Sequence, residues 1–271
     1  MNSLLLASID WSVFGLVIGI IAAIAIVFGI LITIVSKLCA VKENEKVEAV
    51  QERLAGANCG GCGYAGCADY AKALVEGKAG LTDCNATDSQ SKQEIANILG
   101  IEFGGSEPMV AVIKCAGGEN APDKYEYVGA EGCLLQSNLI GGKKLCPDGC
   151  IGEGTCKNAC QYNGISFKKG VGKIDKAVCE GCGACARICP KHLIELIPKR
   201  AKIFVACSTK CVGKAAMINC KVSCIGCGLC AKNCPENAIT MADGLPVIDY
   251  DKCSGCLTCV SKCPRKSIKE L

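Results

Sequence analysis

Three stretches of the chain repeat one cysteine pattern. Cys179, Cys182, Cys185 and Cys189-Pro190 follow C-x2-C-x2-C-x3-C-P, as do Cys224, Cys227, Cys230 and Cys234-Pro235, and again Cys253, Cys256, Cys259 and Cys263-Pro264. Three thiolates on one tight loop can cap three iron corners of a cube, while the fourth reaches a neighbouring cube. The chemistry indicated is one-electron transfer through pairs of [4Fe-4S] clusters. A further copy, CIGEGTCKNACQ from Cys150 to Gln161, has Glu153 where the others have a cysteine. Upstream, Cys59, Cys62, Cys67 and Cys84 form C-x2-C-x4-C-x16-C among Gly60, Gly61, Gly63 and Gly66. Glycine lets a backbone curl around a bulky cluster and turn its N–H groups toward sulfur.

The copies are metrically regular. Adding 74 to Cys156, Cys160, Cys179, Cys182, Cys185 and Cys189 lands on a cysteine each time, and Ile174-Asp175 lands on Ile248-Asp249. The same shift takes Cys150 to Cys224 and Cys146 to Cys220. Cys146 is therefore expected to supply the ligand missing at Glu153, with a carboxylate ligand from Glu153 itself as the alternative. Crossed pairing, as in two-cluster bacterial ferredoxins, then predicts the ligand sets. Cys146, Cys150, Cys156 and Cys189 hold one cluster, and Cys160, Cys179, Cys182 and Cys185 the next. Cys224, Cys227, Cys230 and Cys263 hold a third, and Cys234, Cys253, Cys256 and Cys259 a fourth. With the upstream group the expectation is five [4Fe-4S] clusters. Cys39, Cys115, Cys133, Cys207, Cys211 and Cys220 remain, as buried small hydrophobes or free thiols; Cys207-x3-Cys211 with Cys220, and Cys115 with Cys133, are candidates for a sixth cluster.

These ligands need particular elements around them. Each repeat reads as loop, short helix, β-hairpin (Ile165 to Ile174; Ile239 to Ile248), loop, short helix, with the fourth cysteine at the start of a helix. Ala68 to Glu76 reads as a helix after the first cysteine group, and Lys42 to Ala55 as a helical extension before it. The fold expected is α+β: a single transmembrane helix, a small α-rich [4Fe-4S] domain, then two tandem two-cluster ferredoxin-like domains. The boundaries read as anchor 1–37, N-terminal cluster domain 38–100, connecting segment 101–144, first unit 145–198, linker 199–219 and second unit 220–271.

Trp11 to Val35 runs without a charge. As a helix it spans about 37 Å, enough to cross a hydrocarbon core of about 30 Å. No Lys or Arg precedes it and no clean cleavage site follows, which argues against a secretory signal. Asp10 precedes the span and Lys37, Lys42 and Lys46 follow it. The positive-inside rule then puts the large C-terminal part in the cytoplasm, a reducing compartment unsuited to disulfides. Gly15-Leu-Val-Ile-Gly19 is a GxxxG pattern; it marks either helix packing or the ordinary glycine content of membrane helices.

Composition excludes several other chemistries. With 26 cysteines and one histidine, His192, mixed Cys/His zinc sites cannot account for the thiols, and a Ser-His-Asp site has little support. His192 is expected on an exposed helix. Gly61-x-Gly63-x-x-Gly66 matches a dinucleotide fingerprint, but no apolar strand precedes it and Cys62 lies within it. Aromatics are 4% of the chain, so clusters are expected to supply much of the folding energy. Residues 1–140 carry 9 Lys and Arg against 16 Asp and Glu, and residues 141–271 carry 21 against 10. That excess of positive charge offsets anionic clusters, or makes a docking face for an acidic partner. No aromatic–basic interleaving supports nucleic-acid binding.

The uncleaved helix, the run NCGGCGYAGCADYAKAL, the CAGG at Cys115–Gly118 and the tandem units together resemble the RnfB family, the B subunits of Rnf complexes. The resemblance spans essentially the whole chain. Asn85-Ala86-Thr87 departs from it, standing where a Pro-Gly-Gly-like turn is expected. The resemblance implies a component of an ion-translocating ferredoxin:NAD+ oxidoreductase in the inner (cytoplasmic) membrane, moving electrons with no substrate-transforming site of its own. It implies reduced ferredoxin as a partner, with flavin- and NAD-binding subunits and membrane subunits that carry the Na+ or H+ path. A membrane-tethered polyferredoxin of a hydrogenase or dehydrogenase, and an iron–sulfur redox sensor, are the alternatives.

Overall fold

The computed structural model describes residues 11–38, 44–105 and 107–271. Asp10, Cys39 and Lys42, named above, lie outside the described residues. The chain divides into two units, residues 1–44 and residues 45–271.

The first unit holds one helix, α1 (Trp11–Leu38). From Phe14 to Ser36 its side chains are fully outside any protein core. The Thr33 hydroxyl donates back to the Gly29 and Ile30 carbonyls, at 3.0 and 2.8 Å, so this polar side chain is satisfied within the helix. A helix that is apolar on every side and internally hydrogen-bonded suits a lipid environment.

The second unit begins with three helices, α2 (Glu45–Arg53), α3 (Cys67–Val75) and α4 (Ser89–Leu99). Their apolar faces meet at Val50, Leu54, Tyr70, Ala71, Leu74, Leu81, Ile95 and Ala96. Asp88 caps α4 by accepting from the Ser91 N–H at 3.0 Å, and Gly100 ends it in the left-handed conformation. Ile95 is fully buried in this core. Ile95→Ala is expected to destabilise it by about 2–5 kcal/mol, read as a lowered denaturation midpoint in oxygen-free protein with iron content unchanged.

The two repeats follow. The first contains β1 (Met109–Ile113), α5 (Cys133–Asn138), α6 (Thr155–Asn158), β2 (Ile165–Lys168), β3 (Val171–Ile174), α7 (Ala184–Ile188) and β4 (Ile194–Pro198). The second contains β5 (Ile203–Val205), α8 (Gly213–Asn219), α9 (Leu229–Lys232), β6 (Ile239–Ala242), β7 (Leu245–Ile248), α10 (Thr258–Lys262) and β8 (Ile268–Glu270). The two hairpins form with matching register, Ile165 opposite Ile174 and Ile239 opposite Ile248. Each turns on two positive-φ residues, Lys169-Gly170 and Asp243-Gly244, as a twisted two-residue hairpin requires.

Each repeat also has a second ladder. β1 pairs antiparallel with β4, setting Ile113 opposite Ile194, and β5 pairs with β8, setting Val205 opposite Ile268. So the stretches 101–144 and 199–219, expected as connector and linker, each supply a strand to a repeat. The cores between ladders are small and rich in thiols. Ala111, Ile113, Ile165, Cys185 and Ile194 form one; Ile203, Val205, Cys230, Ile239, Ile248, Cys259 and Ile268 form the other.

Candidate iron–sulfur centres

In each repeat the hairpin and the ladder leave two hollows lined by thiols. In the first, one hollow of about 360 Å3 is lined by Cys160, Cys179, Cys182 and Cys185, with Ile165 and Ile174 as apolar walls. In the second, Cys224, Cys227, Cys230 and Cys263 line about 340 Å3, and Cys234, Cys253, Cys256 and Cys259 about 290 Å3. Three sulfurs come from one loop and the fourth from the other half of the repeat, in the crossed arrangement.

The fourth cysteines end short helices instead of starting them. Cys189 closes α7 and Cys263 closes α10, both in extended backbone. Each precedes a proline, whose ring bars the residue before it from the helical region. The chain therefore turns out of the helix at the cysteine and aims it back across the repeat.

The remaining hollow of the first repeat, about 400 Å3, is lined by Cys133, Cys150, Cys156 and Cys189. Cys133, not Cys146, stands beside the other three. Cys133 opens α5, and its N–H donates to the Thr155 hydroxyl at 3.0 Å, next to Cys156. Burial pushes the Cys150 thiol up to about 12, with Cys115 and Cys133 as the thiols acting on it. Burial likewise raises Cys156 to about 11, with Cys133 and Cys189 beside it. Glu153 turns away into an ion pair with Lys143 at 3.0 Å. Cys146 is buried elsewhere, packed with Cys220 and Ala121.

Cys59, Cys62, Cys67 and Cys84 surround the start of α3. The Asn58 side-chain oxygen accepts from the Cys67 N–H at 2.9 Å, and the Gly61 N–H points at the Cys59 sulfur at 3.5 Å. The Cys62 thiol is raised, by burial first and then by Cys84 and Cys59. The unexpected Asn85-Ala86-Thr87 turn has its own use. The buried Thr87 hydroxyl accepts from the Ala55 N–H and lies 3.3 Å from the Cys84 sulfur. This loop abuts the first repeat: a side chain at Gly61 would come within 2.2 Å of the Cys182 carbonyl oxygen, and Arg187 donates to the Cys59 carbonyl. Gly61, the first glycine of the dinucleotide fingerprint, is thus occupied in a contact within the protein. His192 sits at positive φ in the turn after α7, not on a helix.

Among the described residues no three His, Cys, Asp or Glu side chains converge as a lone ion needs. Four thiols around an apolar hollow of a few hundred Å3 suit a cube-shaped cluster, whose irons are each bound by one sulfur. Thiols raised by burial are protonated in the cluster-free chain, so cluster assembly releases protons.

This arrangement defines an iron–sulfur protein of the electron-carrier class, with an N-terminal helix long and apolar enough to cross a membrane. Known families agree with the class. Residues 54–86 match the family described as a putative Fe-S cluster, residues 173–195 a 4Fe-4S binding domain, and residues 223–267 a 4Fe-4S dicluster domain. The chain is 39% identical over 238 residues to the B subunit of the Na(+)-translocating ferredoxin:NAD(+) oxidoreductase complex of Acetobacterium woodii, covering 87% of this chain and 72% of that one. It is 36% identical over 254 residues to the B subunit of the ion-translocating oxidoreductase complex of Methanosarcina acetivorans, covering 93% and 96%. It is 36% identical over 241 residues to the B subunit of the proton-translocating ferredoxin:NAD(+) oxidoreductase complex of Clostridium ljungdahlii, covering 88% and 85%. The chain belongs to the RnfB family, the B subunits of Rnf complexes.

Proposed function

We propose that this chain is the iron–sulfur electron relay of a membrane-bound, ion-translocating ferredoxin:NAD+ oxidoreductase, taking electrons from reduced ferredoxin. The observation that carries this is the set of four hollows in the two repeats, each lined by four thiols. The ligand sets are Cys59, Cys62, Cys67 and Cys84; Cys160, Cys179, Cys182 and Cys185; Cys133, Cys150, Cys156 and Cys189; Cys224, Cys227, Cys230 and Cys263; and Cys234, Cys253, Cys256 and Cys259. When bound there, the clusters supply reversible one-electron chemistry at low potential. The protein's own groups hold and tune them. The Ala111 N–H donates to the Cys179 sulfur at 3.4 Å and the Ser267 N–H to the Cys263 sulfur at 3.4 Å, contacts that favour the reduced state. Apolar side chains such as Ile165, Ile174 and Ile239 wall the hollows in part and limit the access of water. α1 anchors the relay in the cytoplasmic membrane, with Lys37, Lys42 and Lys46 holding the large part on the cytoplasmic side, and the ion path lies in partner subunits.

A wide groove beside β3 and β8 is lined by Lys168, Lys173, Lys176, Lys199 and Lys269 against only Asp175 and Glu270. This surface suits an acidic electron carrier. Stopped-flow mixing of the detergent-solubilised, oxygen-free protein with reduced ferredoxin is expected to bleach its cluster absorbance, faster at low salt. Lys168→Glu with Lys173→Glu is expected to slow that step about tenfold and flatten its salt dependence. Absence of any reduction by ferredoxin contradicts the relay; an unchanged rate in the variant contradicts the docking face.

A further inference from the structure

Four thiols stand outside the five ligand sets and come together. Cys115 lies two residues beyond β1, and Cys207 two residues beyond β5. These strands hold equivalent places, since their partners Ile194 and Ile268 are related by the repeat. Cys146 and Cys220 are related by the same shift, each four residues ahead of a hollow-lining cysteine, Cys150 or Cys224. The equivalence extends to hydrogen bonds. The Cys150 N–H donates to the Cys115 sulfur at 3.4 Å, and the Cys224 N–H to the Cys207 sulfur at 3.3 Å. Each repeat therefore contributes the same pair of thiols.

The two pairs share one place. A methyl group built on Gly117 would lie 3.4 Å from the Cys115 sulfur and 3.6 Å from the Cys220 sulfur, so those sulfurs are within about 7 Å of each other. Cys146 and Cys220 belong to one buried cluster. Cys146 is raised to about 11, by burial first and then by Cys115 and Cys207. Cys115 also acts on Cys207 and on Cys220. All four are free thiols rather than disulfide partners. Positive charge lies close by. The Lys144 ammonium, 12% exposed and ion-paired with Asp123, donates to the Gly118 and Ala121 carbonyls, and the Arg265 guanidinium donates to the Cys220 carbonyl. Cys211, near in sequence, instead accepts from the Asn219 amide.

We propose that Cys115, Cys146, Cys207 and Cys220 bind a sixth [4Fe-4S] cluster at the junction of the two repeats, and that this cluster passes electrons between them. This rests on the reading of the chain as an iron–sulfur relay. The site is one hydrogen bond from a hollow on either side, through Cys150 toward the first repeat and through Cys224 toward the second. Two thiolates from each repeat make the cluster a staple as well as a relay. One electron enters it from a reduced neighbour and leaves to the next, so no bond is made or broken and no proton is required.

Iron and acid-labile sulfide are to be counted in the full-length protein, purified in detergent without oxygen, with EPR of the reduced and oxidised forms. The wild type is expected to hold about 24 iron per chain, and about 20 would overturn the proposal. Cys115→Ser and Cys207→Ser are each expected to remove about four iron, or to leave a three-iron EPR signal, while Cys211→Ser keeps the full count. In the first two variants, reducing equivalents added at one repeat should no longer equilibrate with the other on the wild-type time scale. Full iron in both variants overturns the proposal even if the wild type reaches 24. A wild type lacking inorganic sulfide instead removes the underlying relay. The wild-type count does not depend on any variant folding.

Discussion

Cys133→Ser is expected to cost the first repeat one of its two clusters, a loss of about four iron per chain or the appearance of a three-iron EPR signal. Glu153→Gln is expected to leave iron content unchanged. The reason is spatial. Cys133 lines the same hollow as Cys150, Cys156 and Cys189, whereas Glu153 is tied to Lys143. Cys133 lies in the part of the chain where the first repeat is the longer of the two. From Ile113 to Ile194 the first repeat runs 18 residues longer than the second does from Val205 to Ile268. The added length brings a thiol from outside the loop to the corner that the loop itself cannot reach. Iron and sulfide analysis of the two variants checks this. A Glu153→Gln variant that loses iron, with Cys133→Ser intact, would reverse the assignment.

Stripping the clusters is expected to unfold the two repeats while the helices α2–α4 keep structure. The repeats have small cores whose centres are hollows of about 290–400 Å3 ringed by thiols. Without a cluster each hollow must collapse or fill with water, which destabilises the small core around it, and several are present. A domain's whole stability is only about 5–15 kcal/mol. The three-helix region instead buries Val50, Tyr70, Leu74 and Ile95 against one another. Hydrogen exchange on chelator-treated protein should show near-complete loss of protection over residues 109–271 and residual protection in α2–α4. Persisting protection of the β1–β4 and β5–β8 ladders would contradict the prediction.

Much of this was legible because cysteine spacing is tied to geometry. Fifteen of the sixteen cysteines grouped by spacing in the two repeats line hollows in those same groupings, since loop spacing and the following proline dictate where each thiol points. The hairpins were legible from apolar alternation around Lys169-Gly170 and Asp243-Gly244. Two things were not. The strands β1 and β5 are brief buried runs whose partners lie 81 and 63 residues away, and no local turn announces them. For the same reason the constant offset fails ahead of Cys146. It aligns Cys133 with Cys207, although the strand pairing makes Cys115 the counterpart of Cys207. The helix α4 carried signals in Asp88 and Gly100 that the cysteine pattern overshadowed.

The claim on which the rest depends is that the thiols hold cubane clusters close enough to exchange electrons. The most direct measurement is metal and acid-labile sulfide analysis, with an EPR redox titration, on the oxygen-free protein. The account predicts iron and sulfide in equal amounts, and reduced clusters whose EPR spectra are broadened by magnetic coupling to their neighbours. Zinc without sulfide, disulfide-bonded thiols, or clusters that titrate as isolated centres would contradict it.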